Sequence, residues 1–168
     1  MSVKLIADSG STKTEWCLLS GGKKKKINTQ GLSPYFLSGN QMKEIIKKEL
    51  ISKIKNAAPD EIFFYGTGCS NPANVKIVKD ALKSVFTGSK IMVDHDLMGA
   101  AKSLCGNKKG IACILGTGSN SCFYNGKKIV KNSPGLGYVL GDEGSGAYLG
   151  KKVIQYFLYN TFEPELMD

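Results

Sequence analysis

The chain contains no arginine. All 23 of its basic residues are lysine, set against 14 acids, which gives a formal charge of +9 over 168 residues. Base readout and bidentate phosphate forks lean on arginine, so this charge is not that of a dedicated nucleic-acid binder. A general positive field still attracts anionic small molecules such as nucleotides. No apolar run approaches the roughly 18 residues that a membrane-spanning helix needs. Lys4 lies inside the first apolar run and Asp8 just behind it, which does not resemble a secretory signal. The five cysteines (17, 69, 105, 113 and 122) form no C-x-x-C pair and are odd in number. That favours reduced thiols in the cytoplasm over a disulfide or zinc framework. Walker, G-x-G-x-x-G and G-x-S-x-G signatures are all absent. With no such elbow, the single histidine, His95, has no nucleophile to serve and is expected to pack or hydrogen-bond locally.

What is present is a pair of similar turns. Asp8-Ser-Gly-Ser-Thr12 follows the apolar run Val3 to Ala7, and Gly116-Thr-Gly-Ser-Asn120 follows the run Ile111 to Leu115. Each leads into a second apolar stretch, a Gly-containing turn and a lysine-rich third stretch. Gly10 and Gly118 are 118 − 10 = 108 positions apart, and the same offset aligns Ser11 with Ser119. One Gly/hydroxyl turn alone is what any hairpin uses; agreement of turn and flanking strands at a common offset indicates duplication. A concave array of backbone N–H groups and hydroxyls suits a phosphate. Two arrays are expected to grip a phosphate chain from both sides, with Thr12 facing Thr117.

Along the chain, Val3–Ala7, Glu15–Leu19 and Lys26–Gln30 read as strands, and the lysine run Lys23–Lys26 as a solvated hairpin loop after Gly21-Gly22. Apolar residues at 42, 45, 46, 50, 51 and 54 predict a helix over 40–55. Glu61–Tyr65 is a strand, Ala73–Phe86 a helix, Ile91–Val93 a strand, and Asp94–Leu104 a helix opening with acids, Asp94 being its expected cap. A second round begins with strands at Ile111–Leu115, Ser121–Asn125 and Lys128–Lys131. A Gly-rich segment from Pro134 to Gly146 follows, and then a helix from Ala147 to about Phe162. A complete second copy would need 108 + 108 = 216 residues and only 168 − 108 = 60 of it are given, so an incomplete second lobe is expected.

Four segments resemble the BadF/BadG/BcrA/BcrD-type ATPase family and, within it, the N-acetylglucosamine kinase branch. They are Asp8-Ser-Gly-Ser-Thr-Lys-Thr14, Val93-Asp-His-Asp-Leu-Met-Gly-Ala-Ala101, Gly116-Thr-Gly-Ser-Asn120 and Gly135-Leu-Gly-Tyr-Val-Leu-Gly-Asp-Glu-Gly-Ser145. The resemblance implies an α/β actin-like ATPase fold of two ribonuclease-H-like lobes, at 1–108 and 109–168, the second incomplete. It implies phosphate contacts from Gly10, Ser11, Thr12 and Lys13 in one loop and from Gly116, Thr117 and Gly118 in the other. Asp8 would help hold hydrated Mg²⁺. Asp96 matches the catalytic aspartate, accepting the proton of the sugar hydroxyl as it attacks the γ-phosphorus. Gly135, Leu136, Gly137 and Asp142 fall at sugar-facing positions. The branch favours Trp where Leu136 stands, and an Asn after Gly-Leu-Ser/Thr as a sugar contact, where the segment Gly31-Leu-Ser-Pro34 of this chain offers Tyr35 and Phe36 instead. Gly141 and Gly144 would shape the turn presenting Asp142, with Ser145 capping the next helix and Glu143 a first-turn dipole partner.

The implied activity is ATP-dependent phosphoryl transfer to an amino sugar, with ATP and Mg²⁺ and without nucleic-acid or membrane partners. The alternatives are an ATP-driven activator of a radical dehydratase, which needs cluster-ligating cysteines, and a non-catalytic sugar or nucleotide sensor. An unfinished half-sheet exposes apolar side chains, so self-association, as a homodimer, is the expectation.

Overall fold

The computed structural model describes residues 2–55 and 57–166, in two compact units, Met1–Gly99 and Ala100–Asp168. The first is a five-stranded sheet in the order β3-β2-β1-β4-β5, comprising β1 (Lys4–Ser9), β2 (Lys13–Ser20), β3 (Lys23–Gln30), β4 (Glu61–Gly66) and β5 (Lys90–His95). β1, β2 and β3 form an antiparallel meander, whereas β4 and β5 join β1 in parallel. Parallel pairing needs crossovers, and α2 (Pro72–Val85) provides the one between β4 and β5.

Period-two alternation puts Leu5, Ala7, Trp16, Ile27, Ile62, Phe64 and Ile91 on one face of this sheet. The covering layer is α1 (Gly39–Ile45), a wide π-type turn over Ile46–Ile51, and α2. Met42, Ile46, Leu50 and Ile54 are buried against the sheet, as the sequence stripe predicts. A strict four-residue repeat overshoots the 3.6-residue turn, and the wide turn resets the stripe onto the core. Ser38 and Gln41 form a reciprocal capping box that fixes the start of α1. Trp16 is fully buried, packs 6.0 Å from the Phe64 ring and donates its indole N–H to Thr29 Oγ1 at 2.9 Å.

Two expectations are corrected in this unit. Lys23–Lys26 is not a loop: all four residues pair with β2, and only Gly21-Gly22, both at positive φ, make the hairpin turn. The lysines lie on an edge strand, where like charges block pairing with another sheet. Asp94 is not a helix cap, because β5 continues to His95 and α3 (Asp96–Cys105) starts two residues later.

The second unit is an antiparallel meander of β6 (Lys109–Leu115), β7 (Ser119–Asn125) and β8 (Ile129–Pro134), with a bulge at Phe123/Tyr124. Asn125-Gly126 makes the predicted turn: Gly126 has φ +94, and Asn125 Oδ1 accepts from the N–H groups of Lys127 and Lys128. The Gly-rich segment contains a single helical turn, α4 (Gly137–Leu140), which carried no sequence signal. It leads into α5 (Gly146–Leu158), capped by Ser145 Oγ accepting from Tyr148 N–H at 3.1 Å.

Candidate functional site

β1, β3, β4 and β5 all run the same way, so their C-terminal ends gather at one end of the first sheet, where open α/β sheets place ligands. Four segments meet there. They are the β1–β2 turn, the loop from Gly31 to Ser38, the loop after Gly66, and Asp94–Asp96. Ser9 ties three of them together. Its buried hydroxyl bonds that of Thr14 (2.7 Å) and accepts Leu32 N–H (3.1 Å), and its carbonyl accepts Thr67 N–H (2.8 Å). Gly31 N–H donates to Thr12 O at 3.0 Å, and a Cβ on Gly31 would stand 2.4 Å from Ser11 O. Only glycine lets this loop press on the turn. Ser9 and Thr14 lie in the segment that carries the resemblance, but their bracing role, like that of Gly31, is one that sequence reasoning did not assign. Their signal, two small hydroxyls and a glycine flanking strands, is too common to read alone.

The β1–β2 turn closes through Gly10 N–H to Lys13 O at 2.9 Å. Gly10, Ser11, Thr12 and Lys13 are all exposed. Among the described residues the N–H groups of Ser11 and Thr12 have no protein acceptor. The turn thus presents two N–H donors, two hydroxyls and an ammonium group, a set that suits a phosphate.

On the face away from α1 and α2, strand register aligns Glu15, Asp8, Tyr65 and Asp94 in one row across β2, β1, β4 and β5. Asp8 is exposed at its surface, yet the surrounding protein withdraws enough water to push its carboxyl above the usual range. Repulsion from Asp96 and then Glu15 adds to the rise, and Lys13 opposes it. Glu15 is held below its ordinary value by its bond to Lys26, 2.7 Å away. Asp94 Oδ1 accepts its neighbour's N–H from His95 at 2.9 Å, while Asp96 Oδ1 accepts Leu97 N–H at 2.8 Å. Gly99 allows α3 to lie close over Tyr65, since a Cβ there would come within 2.8 Å of Tyr65 Cγ.

Among the described residues no three His, Cys, Asp or Glu side chains gather to hold a metal. Asp8 as a single carboxylate fits a cation that retains waters and shares phosphate oxygens, and its repulsion from Asp96 is what a cation would relieve. Buried Cys69 lies near the same carboxyls, and burial, then Asp96 and Asp94, push its thiol up to about 12. It is a neutral thiol at physiological pH. Tyr35 and Phe36 stand 63% and 73% exposed at this end of the sheet, the Tyr35 ring lying over Gly68.

In the second unit the β6–β7 turn closes through Gly116 N–H to Gly118 O at 2.9 Å, with Gly116 and Thr117 exposed. The carbonyls of Gly116 and Thr117 accept the N–H groups of Gly146 and Ala147, so the start of α5 buttresses the turn. The two turns are not copies at an offset of 108. The residue pairs nearest the turns are Ser9–Thr14 and Leu115–Ser119, offset by 115 − 9 = 106 and 119 − 14 = 105. The first turn is one residue longer. Asp142 is buried at φ +60, its Oδ1 accepting Gly137 N–H at 3.2 Å. Gly135 and Gly118 adjoin its carboxylate, whereas Leu136 and Glu143 are exposed.

No protein-family model matches the chain. A solved structure from Porphyromonas gingivalis, described as a candidate N-acetylglucosamine kinase, is 42% identical over 99% of this chain and 59% of its own, with a TM-score of 0.92. A second candidate N-acetylglucosamine kinase, from Chromobacterium violaceum, shares the fold at 20% identity and a TM-score of 0.74, over 98% of this chain and 61% of its own. An N-acetylmuramic acid/N-acetylglucosamine kinase of Clostridium acetobutylicum is 33% identical over 88 residues, 52% of this chain and 29% of its own. The chain thus spans about three fifths of the solved relatives and less than a third of the curated one. Its fold is that of the actin-like ATPases, and over the part it spans it is similar in sequence to candidate and curated N-acetylglucosamine kinases.

Proposed function

We propose that this chain, a relative of the N-acetylglucosamine kinases, serves ATP-dependent phosphoryl transfer to a hydroxyl of an amino sugar. The observation that carries the reading is the convergence at one sheet end of an exposed Gly10–Lys13 donor turn with Asp8 and Asp96; burial raises the Asp8 pKa and the charge of Asp96 adds to it. In this reading the Ser11 and Thr12 N–H groups and Lys13 hold nucleotide phosphate. Gly116, Thr117 and Gly118 contribute a second set of donors. Asp8 would hold Mg²⁺ together with phosphate oxygens, and the ion would supply neutralisation of the charge that develops on the phosphates. Asp96 accepts the proton of the attacking sugar hydroxyl as that oxygen bonds to the γ-phosphorus, while the bond from the γ-phosphorus to the β–γ bridging oxygen breaks and ADP leaves.

Tyr35 and Phe36 supply an apolar face for the sugar ring, and Gly135, Leu136 and Gly137, with Asp142 behind them, complete the sugar side. Both the solved and the curated relatives carry amino-sugar kinase names, which supports N-acetylglucosamine or its lactyl ether as substrate. The test is an ADP-release assay on the complete natural protein with MgATP and N-acetylglucosamine, N-acetylmuramic acid or glucosamine, the phosphosugar being identified by mass. Saturable transfer to one of them is expected. Absence of transfer to every amino sugar, with nucleotide bound, overturns the reading.

A further inference from the structure

Gly118 is a glycine without a backbone reason. Its φ is not in the left-handed region, and the three atoms nearest to a Cβ built on it all belong to the carboxylate group of Asp142, with Oδ2 at 2.8 Å. Gly116, in the same turn, has open space where its Cβ would be. The other carboxylate oxygen is equally committed. Oδ1 accepts Gly137 N–H at 3.2 Å and would lie 2.1 Å from a Cβ on Gly135. Asp142 itself sits at φ +60, a conformation that costs a residue with a Cβ. Its carbonyl accepts Ser145 N–H at 3.0 Å, fixing it to the cap of α5.

We propose that Asp142 is a positioning residue. Its carboxylate is a spacer between the β6–β7 turn and the Gly135–Gly137 turn, so that Gly118 is glycine to admit Asp142. The proposal rests on the phosphotransferase reading for what those turns hold, phosphate on one and sugar on the other. One side chain then sets the distance between them, and loss of it loosens nucleotide and sugar together. A residue that merely touched sugar would leave nucleotide binding alone.

The experiment uses the complete natural protein and measures MgADP affinity by calorimetry, and KM for ATP and for N-acetylglucosamine, in Asp142→Ala, Gly118→Ala and the double variant. Asp142→Ala is expected to weaken MgADP binding and raise both KM values, each by roughly tenfold, the loss expected of an interaction of about 1.4 kcal/mol. Gly118→Ala should weaken MgADP binding similarly by pushing the carboxylate away. In the double variant the new methyl group fills space that the carboxylate vacates, so its MgADP affinity should exceed the product of the single losses, as contacting sites allow. Rescue of binding separates this role from general destabilisation, which would compound. Unchanged MgADP affinity in Asp142→Ala, or losses that simply multiply, would overturn the proposal. If the unaltered protein binds no MgADP, the phosphotransferase reading fails with it; if it binds MgADP but transfers no phosphate to any amino sugar, that reading fails while the spacer role is still decided by the MgADP data.

Discussion

The two units begin alike, each with an antiparallel three-strand meander carrying a donor-rich first turn, and they part in how they are covered. In the first, one sheet face is sealed by α1, the wide turn and α2 over a core that runs from Leu5 to Ile91. In the second, Ala101, Ala112, Cys122 and Tyr124 are the buried hydrophobics among the described residues, and α5 buries none. Ile111 and Leu158 are 72% and 73% exposed. The same opening motif therefore stands on two kinds of support. The first turn is braced from within its unit by Ser9, Thr14 and Gly31; the second leans on the polar Asp142–Ser145 corner rather than on apolar mass. Chemistry that needs fixed geometry is better placed on the braced side, and that is where Asp8 and Asp96 lie.

The sharpest way to break the comparison is at the carboxyls. Asp96→Asn in the complete natural protein is expected to reduce phosphoryl transfer by about 10²–10⁴-fold, with sugar affinity changed little. Asp94→Asn, whose carboxylate engages the His95 N–H, should cost far less. Equal losses would remove the distinction between them. Next in size is the core. Phe64→Ala removes a fully buried ring that touches Trp16 and should lower stability by about 3–5 kcal/mol in denaturant titration. Leu158→Ala, on exposed α5, should stay within about 0.5 kcal/mol. A large loss at Leu158 would mean that α5 is covered in solution.

That possibility leads to a third measurement. The apolar side chains of α5, Leu149, Val153, Ile154 and Phe157 among them, form the kind of contiguous surface that drives association. Light scattering of the 168-residue chain should give a mass above that of a monomer, and Ile154→Glu should shift it toward monomer. A monodisperse unaltered chain would show that this surface is silent.

Much of the first unit was legible because its signals are local and periodic. The spacing of Met42, Ile46, Leu50 and Ile54, and that of Val78, Ala81 and Leu82, marks the core-facing sides of both helical stretches. Lys23–Lys26 misled because four lysines look like a solvated loop, whereas an edge strand tolerates them on both faces. Asp94 misled because an acid before a helical stripe has the composition of a cap, and only pairing with β4 shows that the strand runs on. The packing of Asp142 against Gly118 was out of reach. It depends on a left-handed φ and on contact between segments more than twenty residues apart, neither of which leaves a periodic trace.

The smallest effect expected is also the most diagnostic of the row of acids. Burial and the nearby charges of Asp96 and Glu15 raise the Asp8 pKa in the folded state. Between the unfolded and folded values the native chain binds the extra proton, so stability must fall as pH rises through that window. Below it both states are protonated and nothing is lost; above it the charged carboxylate is a standing cost. Asp8→Asn should therefore raise the melting temperature slightly at neutral pH and leave it unchanged near pH 3, while reducing transfer activity. Mg²⁺ with ADP should raise the melting temperature of the unaltered protein more than that of the variant, because a cation relieves the repulsion that the substitution has already removed. A melting temperature that falls in Asp8→Asn at neutral pH would show that the carboxylate is held by a favourable partner, and would take the Mg²⁺ role from it.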